Sequence, residues 1–409
     1  ALAVTLPSAG NLGGGGFLLL RKASGETTFF DFRERAPLAA TRDMYVDPAT
    51  GKLTRDSVVG WRAAGVPGTV HGLWTAHKKY GTKRWADLVA PAVKLARNGF
   101  EVQYGLSESL KGASKLLSQF PESNRIFLRD GKHYEKGDRF VQPELARTLQ
   151  RIARYGAADF YEGQIARKFA AEAKANGGLI TLEDLKAYQT TERKPLTGTY
   201  KGHQIITAPP PSSGGLGILQ MMGMLEGTNY EASGAGSANA IHIVAEAMRR
   251  FYADRSEHLA DPDFYKVPVS GLLDPSYIAN QRGSIDRTKA STSEQIRPGK
   301  PVLHESAETT HFSIVDAKGN AVALTYTING SYGNGVTVPG LGFLLNNEMD
   351  DFSAKPGEPN LFGLVQGEAN AIQPRKRPLS SMTPTIVVRD NQLRMVVGAP
   401  GGSRIINGV

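Results

Sequence analysis

The chain has 409 residues, with 46 Gly, 23 Pro, no Cys and a formal net charge of +9. At 40% hydrophobic and 21% charged residues, it carries too much apolar material for a disordered chain. The lack of Cys excludes a disulfide scaffold, thiolate-bound zinc, iron–sulfur clusters and thiol catalysis. At roughly 100–200 residues per domain, the length allows two or three domains or one large sandwich. Residues 309–409 hold 8 basic and 7 acidic residues, so the positive surplus lies in residues 1–308. There the basic residues are scattered among acids, and no aromatic-and-basic nucleic-acid motif appears. No apolar run approaches the ~20 residues that cross a bilayer, and no signal-peptide pattern is visible.

In chain order, residues 1–6 read as a strand and 7–10 as a turn, so the chain opens as if cut inside a strand. Residues 10–20, GNLGGGGFLLL, combine a glycine run with an apolar strand. Four glycines permit positive φ and close backbone approach. Neither GxGxxG nor GK[ST] is present, so a phosphate cradle is disfavoured. A second strand covers 28–32. From Val66 to Phe100 the pattern is helical, with Gly99 as terminator and Pro91 as an expected break or kink. Helix is expected again over 143–175. Thr181-Leu-Glu-Asp184 reads as a capping box before a helix over 182–188. A strand is expected over 200–207, a hard turn over 209–215, and helices over 216–226 and 237–260. Met395 to Val397 reads as a strand, followed by a Gly-rich loop over 398–402; this end also looks like a cut through a domain.

The richest stretch is 309–353. Residues 309–315 alternate polar and apolar, Asp316-Ala-Lys-Gly319 is a turn, and 320–329 alternate again, which predicts a β-hairpin. Val322, Leu324, Tyr326 and Ile328 share one face. Ala321, Ala323, Thr325, Thr327 and Asn329 share the other, and by pattern alone that polar face reads equally well as a solvent-exposed one. The hairpin returns Thr327 and Asn329 to the level of Thr309.

Several mechanisms are absent: no GxSxG elbow, HExxH, H-x-H pair or EF-hand loop occurs. His311, alone on its strand, reads as structural. What remains is a threonine at a chain start that would exist only if the peptide bond before it were cut, a cut that composition does not show. Its hydroxyl needs a base, and a free α-amino group with a pKa of about 7.7–8.0 can serve.

At this point a resemblance enters. Thr309-Thr-His-Phe-Ser-Ile-Val-Asp316, Asn346-Asn-Glu-Met-Asp-Asp-Phe352, Arg377-Pro-Leu-Ser-Ser-Met382 and Gly398-Ala-Pro-Gly-Gly-Ser-Arg404 resemble γ-glutamyltranspeptidase. Gly13 to Gly16, Asp31-Phe-Arg-Glu34, Gly65-Val-Pro-Gly68, Gly177-Gly-Leu-Ile180 and 209–215 fit the same family, in order along nearly the whole chain. The resemblance implies an α+β fold, the four-layer αββα sandwich of N-terminal-nucleophile hydrolases. Residues 1–308 would be a large-subunit part and 309–409 a small-subunit part, both incomplete at their outer ends and together one domain. It implies self-cleavage between Glu308 and Thr309, with Thr309 then acting on glutathione and other γ-glutamyl amides. Water, an amino acid or a dipeptide would resolve the resulting ester.

By the same resemblance, Arg33 would grip the substrate α-carboxylate with Ser380 and Ser381. Asp351 would bind the α-ammonium, helped by Asn329 and Glu348. Gly401 and Gly402 would stabilise the oxyanion, and Thr327 would orient Thr309. Thr310 is the rival nucleophile, and Asp350 the rival to Asp351. Residues 353–363 fit a lid, with Phe362 where some members carry a Tyr. No metal or organic cofactor, nucleic acid or membrane span is implied, and relatives are usually periplasmic or secreted. Alternatives on the same fold are a glutaryl-type cephalosporin acylase and a poly-γ-glutamate hydrolase.

Overall fold

The computed structural model describes residues 1–292, 295–296 and 309–409. Two antiparallel sheets lie face to face. One has five strands in the order Thr191–Arg193, Thr27–Asp31, Gly15–Arg21, Ala321–Thr327, Thr310–Val315. The other has four, in the order Gln392–Val397, Thr385–Arg389, His203–Thr207, Leu196–Tyr200. Each sheet therefore mixes strands from before and after residue 308.

Side chains alternate between faces along a strand, which explains the unbroken apolar run at 17–20. Phe17 and Leu19 point between the sheets, where they meet Phe29, Ala321 and Ala323 of their own sheet and Ile206, Ile386 and Val388 of the other. Leu18, Phe30, Leu324 and Tyr326 face outward and pack on the helix Thr69–Tyr80 through Ala76. On the far side, Ile205 and Val387 pack on Leu216 and Phe251 of the helices Gly214–Leu225 and Ala238–His258. The layers are thus helix, sheet, sheet, helix, as the resemblance implies.

The hairpin forms where the alternation places it, with Thr310 opposite Tyr326 and Val315 opposite Ala321. Its polar face does not meet solvent. Thr325 is fully buried and Thr327 nearly so, because the side carrying Ala321 and Ala323 is the inter-sheet side. Small alanines let the sheets approach, and the threonines follow on the same parity toward the end of the strand.

The glycine run works by close packing, not by positive φ. A Cβ on Gly14 would run into the Thr327 carbonyl, and one on Gly16 into the Thr325 carbonyl. Gly15 to Arg21 pairs directly with the hairpin, Gly15 opposite Thr327, so a backbone neighbour occupies the space a phosphate would need.

Three local expectations are corrected. Residues 1–6 contain a single helical turn, Leu2–Thr5, whose Val4 is buried against the helical layer. Pro91 does not break its helix. Trp85–Asn98 is continuous with Pro91 on its exposed side, and the interruption falls earlier, where Gly81 ends the preceding helix. The expected strand over 200–207 is a tight hairpin. Leu196–Tyr200 and His203–Thr207 are joined by Lys201 and Gly202 at φ 47° and 75°, the left-handed pair that a two-residue turn needs. Gly99, at φ 72°, ends its helix as expected. Thr181 also caps as expected: its hydroxyl accepts from the Asp184 N–H while the Asp184 carboxylate accepts from the Thr181 N–H.

Candidate active site

Thr309 sits one residue before the strand Thr310–Val315, across from Thr327 by the hairpin register. Its Oγ1 donates to Thr327 Oγ1 at 3.5 Å. Thr327 Oγ1 also accepts from the Asn329 N–H at 2.9 Å. Asn329, at φ 72°, donates from Nδ2 to the Asn347 carbonyl at 3.0 Å. Thr309, Thr327 and Asn329 all line one pocket, together with Arg33, Arg255, Asp351, Phe362, Leu364, Ser380, Ser381, Met382, Gly402, Ser403 and Ile405. Thr310 does not line it, which favours Thr309 over its neighbour. The residue on the other side of the expected cut, Glu308, lies outside the described residues.

Opposite the hairpin stands a charged wall. Arg33 is 1% exposed and forms ion pairs with Asp351, with Glu348 at 2.5 Å and with Glu34 at 3.5 Å. Burial alone would lower its pKa, but Glu348, Asp351 and Glu34 together outweigh that and hold it above its ordinary value. The acids bear the cost. Burial raises Glu34 to about 8 and Glu348 well above the usual carboxylate range, with Arg33 opposing in both cases. Glu348 is buried behind Arg33 and does not reach the pocket wall; its contact with Arg33 is an ion pair without hydrogen-bond geometry.

Arg33 is held by its surroundings. Asp31 Oδ1 accepts from the Arg33 N–H at 3.0 Å, and Arg33 Nε donates to the Pro378 carbonyl at 3.3 Å. Asp31 also pairs with Arg377 and Arg193. One buried acid thereby ties the Arg33 strand end to the segment carrying Ser380 and Ser381. The turn at 209–215 pins the same segment: Ser213 donates from both its N–H and its Oγ to the Ser380 carbonyl, at 2.8 and 2.7 Å.

Gly401 and Gly402 have φ of 132° and 54°, values that L side chains rarely or never adopt. Among the described residues neither backbone N–H finds an acceptor. Gly402 lines the pocket; Gly401 sits just behind it. Of residues 353–363, the expected lid, Phe362 lines the pocket. Phe362 is 5% exposed and helps close a cavity of only about 20 Å³. Asp350 anchors the residue before Phe362, accepting from the Leu361 N–H at 2.7 Å and from Ser57 Oγ at 2.8 Å. Burial raises Asp350 to about 6, with those two donors opposing. Asp351 lines the pocket and Asp350 does not.

Sequence reasoning missed Arg255. It lies on Ala238–His258, whose buried stripe Ala240, Ile243, Ala247, Phe251 reaches residue 255 four positions later. A charged residue falling on that stripe was the legible signal. His311 is structural: Nδ1 meets Thr325 Oγ1 at 2.8 Å, and burial lowers its pKa to about 4.

Among the described residues no helix is long and apolar enough to cross a membrane. A family model for gamma-glutamyltranspeptidase matches residues 1–409. The chain is 52% identical over 410 residues to the glutathione hydrolase proenzyme of Escherichia coli strain K12, covering 100% of this chain and 71% of that one. It is 38% identical over 411 residues to the Acylase ACY 1 proenzyme of Pseudomonas sp. strain V22, covering 99% and 71%. The solved γ-glutamyltranspeptidase of Helicobacter pylori superposes with a TM-score of 0.72 at 44% identity, over 75% of this chain and 88% of that one. The family match over the whole chain and these likenesses show that the chain belongs to the γ-glutamyltranspeptidase family of self-processing N-terminal-nucleophile enzymes.

Proposed function

We propose that this chain hydrolyses glutathione and other γ-glutamyl compounds, and transfers the γ-glutamyl group to amino acids or dipeptides. The observation that carries the reading is the pairing of Arg33 with Asp351 in the same pocket as Thr309. An α-amino acid head presents one carboxylate and one ammonium. Inserted between Arg33 and Asp351, it exchanges one ion pair for two, and only a zwitterion does so without leaving a buried charge unmatched. A guanidinium fork suits the carboxylate bidentately. Asp351 and Asn329 take the ammonium, and Glu348 sets the charge behind Arg33. A glutaryl group has no ammonium for Asp351, so the acylase alternative leaves that acid without a task.

Chemistry follows from the opposite wall. In the precursor, the Thr309 hydroxyl attacks the Glu308 carbonyl, the peptide nitrogen leaves as the Thr309 amine, and water opens the ester. The chain is then divided between 1–308 and 309–409 within one sandwich. The freed amine takes the proton of its own hydroxyl as the oxygen attacks the γ-carbonyl of the donor. Thr327 orients that oxygen, and the Gly401 and Gly402 amides receive the developing oxyanion. The amine portion leaves with the proton, and water or an acceptor amine resolves the γ-glutamyl ester. Membership of this family points to export, and we place the chain in the periplasm or outside the cell on that basis alone.

The test is a denaturing gel with an anilide assay. Two fragments with Thr309 at the new N-terminus, and release of the amine from γ-glutamyl-p-nitroanilide, are expected. Thr309→Ala abolishes both; cleavage that survives in this variant moves the nucleophile to Thr310.

A further inference from the structure

We infer that Arg255 is a positioning residue for the donor's α-carboxylate, holding the Ser381 hydroxyl and the Ser380 peptide so that both serine hydroxyls present their protons to that anion. The inference rests on the γ-glutamyl reading above and assigns a part of the site that the family motifs do not include.

Arg255 is 2% exposed and forms part of the pocket wall. Its Nε donates to Ser213 Oγ at 3.0 Å and its Nη2 to Ser381 Oγ at 3.3 Å. Of the other deeply buried arginines, Arg33, Arg250 and Arg377 each have a carboxylate within ion-pair distance, while Arg21, away from the pocket, donates to the Lys22 and Asn391 carbonyls and to the Asn391 side chain. Among the described residues Arg255 has no such carboxylate. Asp351 is close enough to act on it electrostatically but is engaged by Arg33. A buried charge without a counter-charge costs several kcal/mol. Arg255 therefore stands in the pocket as a cation whose hydrogen bonds, among the described residues, go to two hydroxyls.

Proton accounting shows what those hydroxyls do. A serine has one proton to give and two lone pairs to receive with, and arginine can only donate. Ser213 Oγ accepts from Arg255 and spends its proton on the Ser380 carbonyl. Ser381 Oγ accepts from Arg255, and among the described residues nothing accepts its proton. Ser380 Oγ accepts from the Met382 N–H at 3.1 Å, and its proton is likewise unspent. Two adjacent hydroxyl protons thus remain beside two guanidinium groups. That arrangement suits an anion, and the donor's anion is its α-carboxylate. The planar fork of Arg255 spans Ser213 and Ser381 at once, a geometry a single ammonium cannot reproduce.

The test uses three anilide donors on the processed enzyme. The γ-glutamyl donor has both head groups, the glutaryl donor lacks the α-ammonium, and the 4-aminobutyryl donor lacks the α-carboxylate. Arg255→Met should raise KM for the first two by about tenfold or more, the effect of losing a hydrogen bond to a charged group. It should leave kcat/KM for the 4-aminobutyryl donor within about twofold. Arg255→Lys should recover part of the loss, and it carries the same comparison if the Met variant is not processed. Equal losses on all three donors would mark Arg255 as merely structural and overturn the inference, as would an unchanged KM. A wild-type enzyme that releases no amine from the γ-glutamyl donor overturns the function itself, which is a separate outcome.

Discussion

The two walls of the pocket are built by different physics. The hairpin wall is neutral and made of hydroxyls, and β-register sets its geometry: Gly15 lies opposite Thr327, and Thr327 across from Thr309. The facing wall is charged and comes from scattered places, with Arg33 just past a strand end, Arg255 on a helix, Asp351 at the end of the short 3-10 turn Glu348–Asp351, and Ser381 on a loop. A ladder fixes atoms without placing charge in the core. Loops and buried ion pairs place charge, at the cost of raised carboxylate pKa values behind Arg33. On the function proposed above, the difference divides the tasks: the ladder side would handle bond making, and the charged side recognition. Substitutions on the hairpin side should therefore act on kcat, and those on the charged side on KM.

The largest effect short of removing Thr309 is expected at Gly401. Its φ of 132° excludes Ala without re-aiming the two amides. Gly401→Ala should lower kcat by about 10²–10³-fold, the usual loss for one oxyanion donor, with KM nearly unchanged. Next, Arg33→Lys keeps the charge but loses the fork. KM for γ-glutamyl-p-nitroanilide should rise by about 10²-fold, or ~2.7 kcal/mol. A fall confined to kcat would break the division of tasks. Thr327→Val keeps the shape but removes the oxygen near Thr309 and strands the Asn329 N–H; kcat should fall by about tenfold, or ~1.4 kcal/mol.

The smallest effect concerns stability. His311 has a pKa of about 4 against an ordinary 6.5, so between these values the unfolded chain takes up a proton that the folded one refuses. Stability should rise with pH across that window. His311→Gln should flatten the rise, as read from thermal melts at its two ends.

How much was legible in the sequence follows the same division. Alternation over 309–329 was enough to bring Thr327 level with Thr309, because strand parity is a local property. It could not say that the polar face was internal, since polar threonines between two sheets and polar threonines in water look alike in one strand. Residues 1–6 were too few to separate a strand from one helical turn, a separation that tertiary packing of Val4 decides. Pro91 was misjudged because its ring lies on the solvent side of the helix. Arg33 and Asp351 were found only through family resemblance: 318 residues separate them, and no period connects them. Arg255 was within reach, as a charge on an apolar stripe.

The interleaving of strands has a consequence for the cleaved enzyme's history. Both facing sheets need strands from both sides of residue 308, so neither piece can complete either of them alone. Once the peptide bond before Thr309 is cut, unfolding releases two separate chains. Recovery then becomes a meeting of two molecules, slower at dilution and open to aggregation. The uncut Thr309→Ala chain, still one molecule, should regain its structure at a rate independent of concentration. Self-cleavage thus converts a fold that can be rebuilt into one that is assembled once and persists by the height of its unfolding barrier.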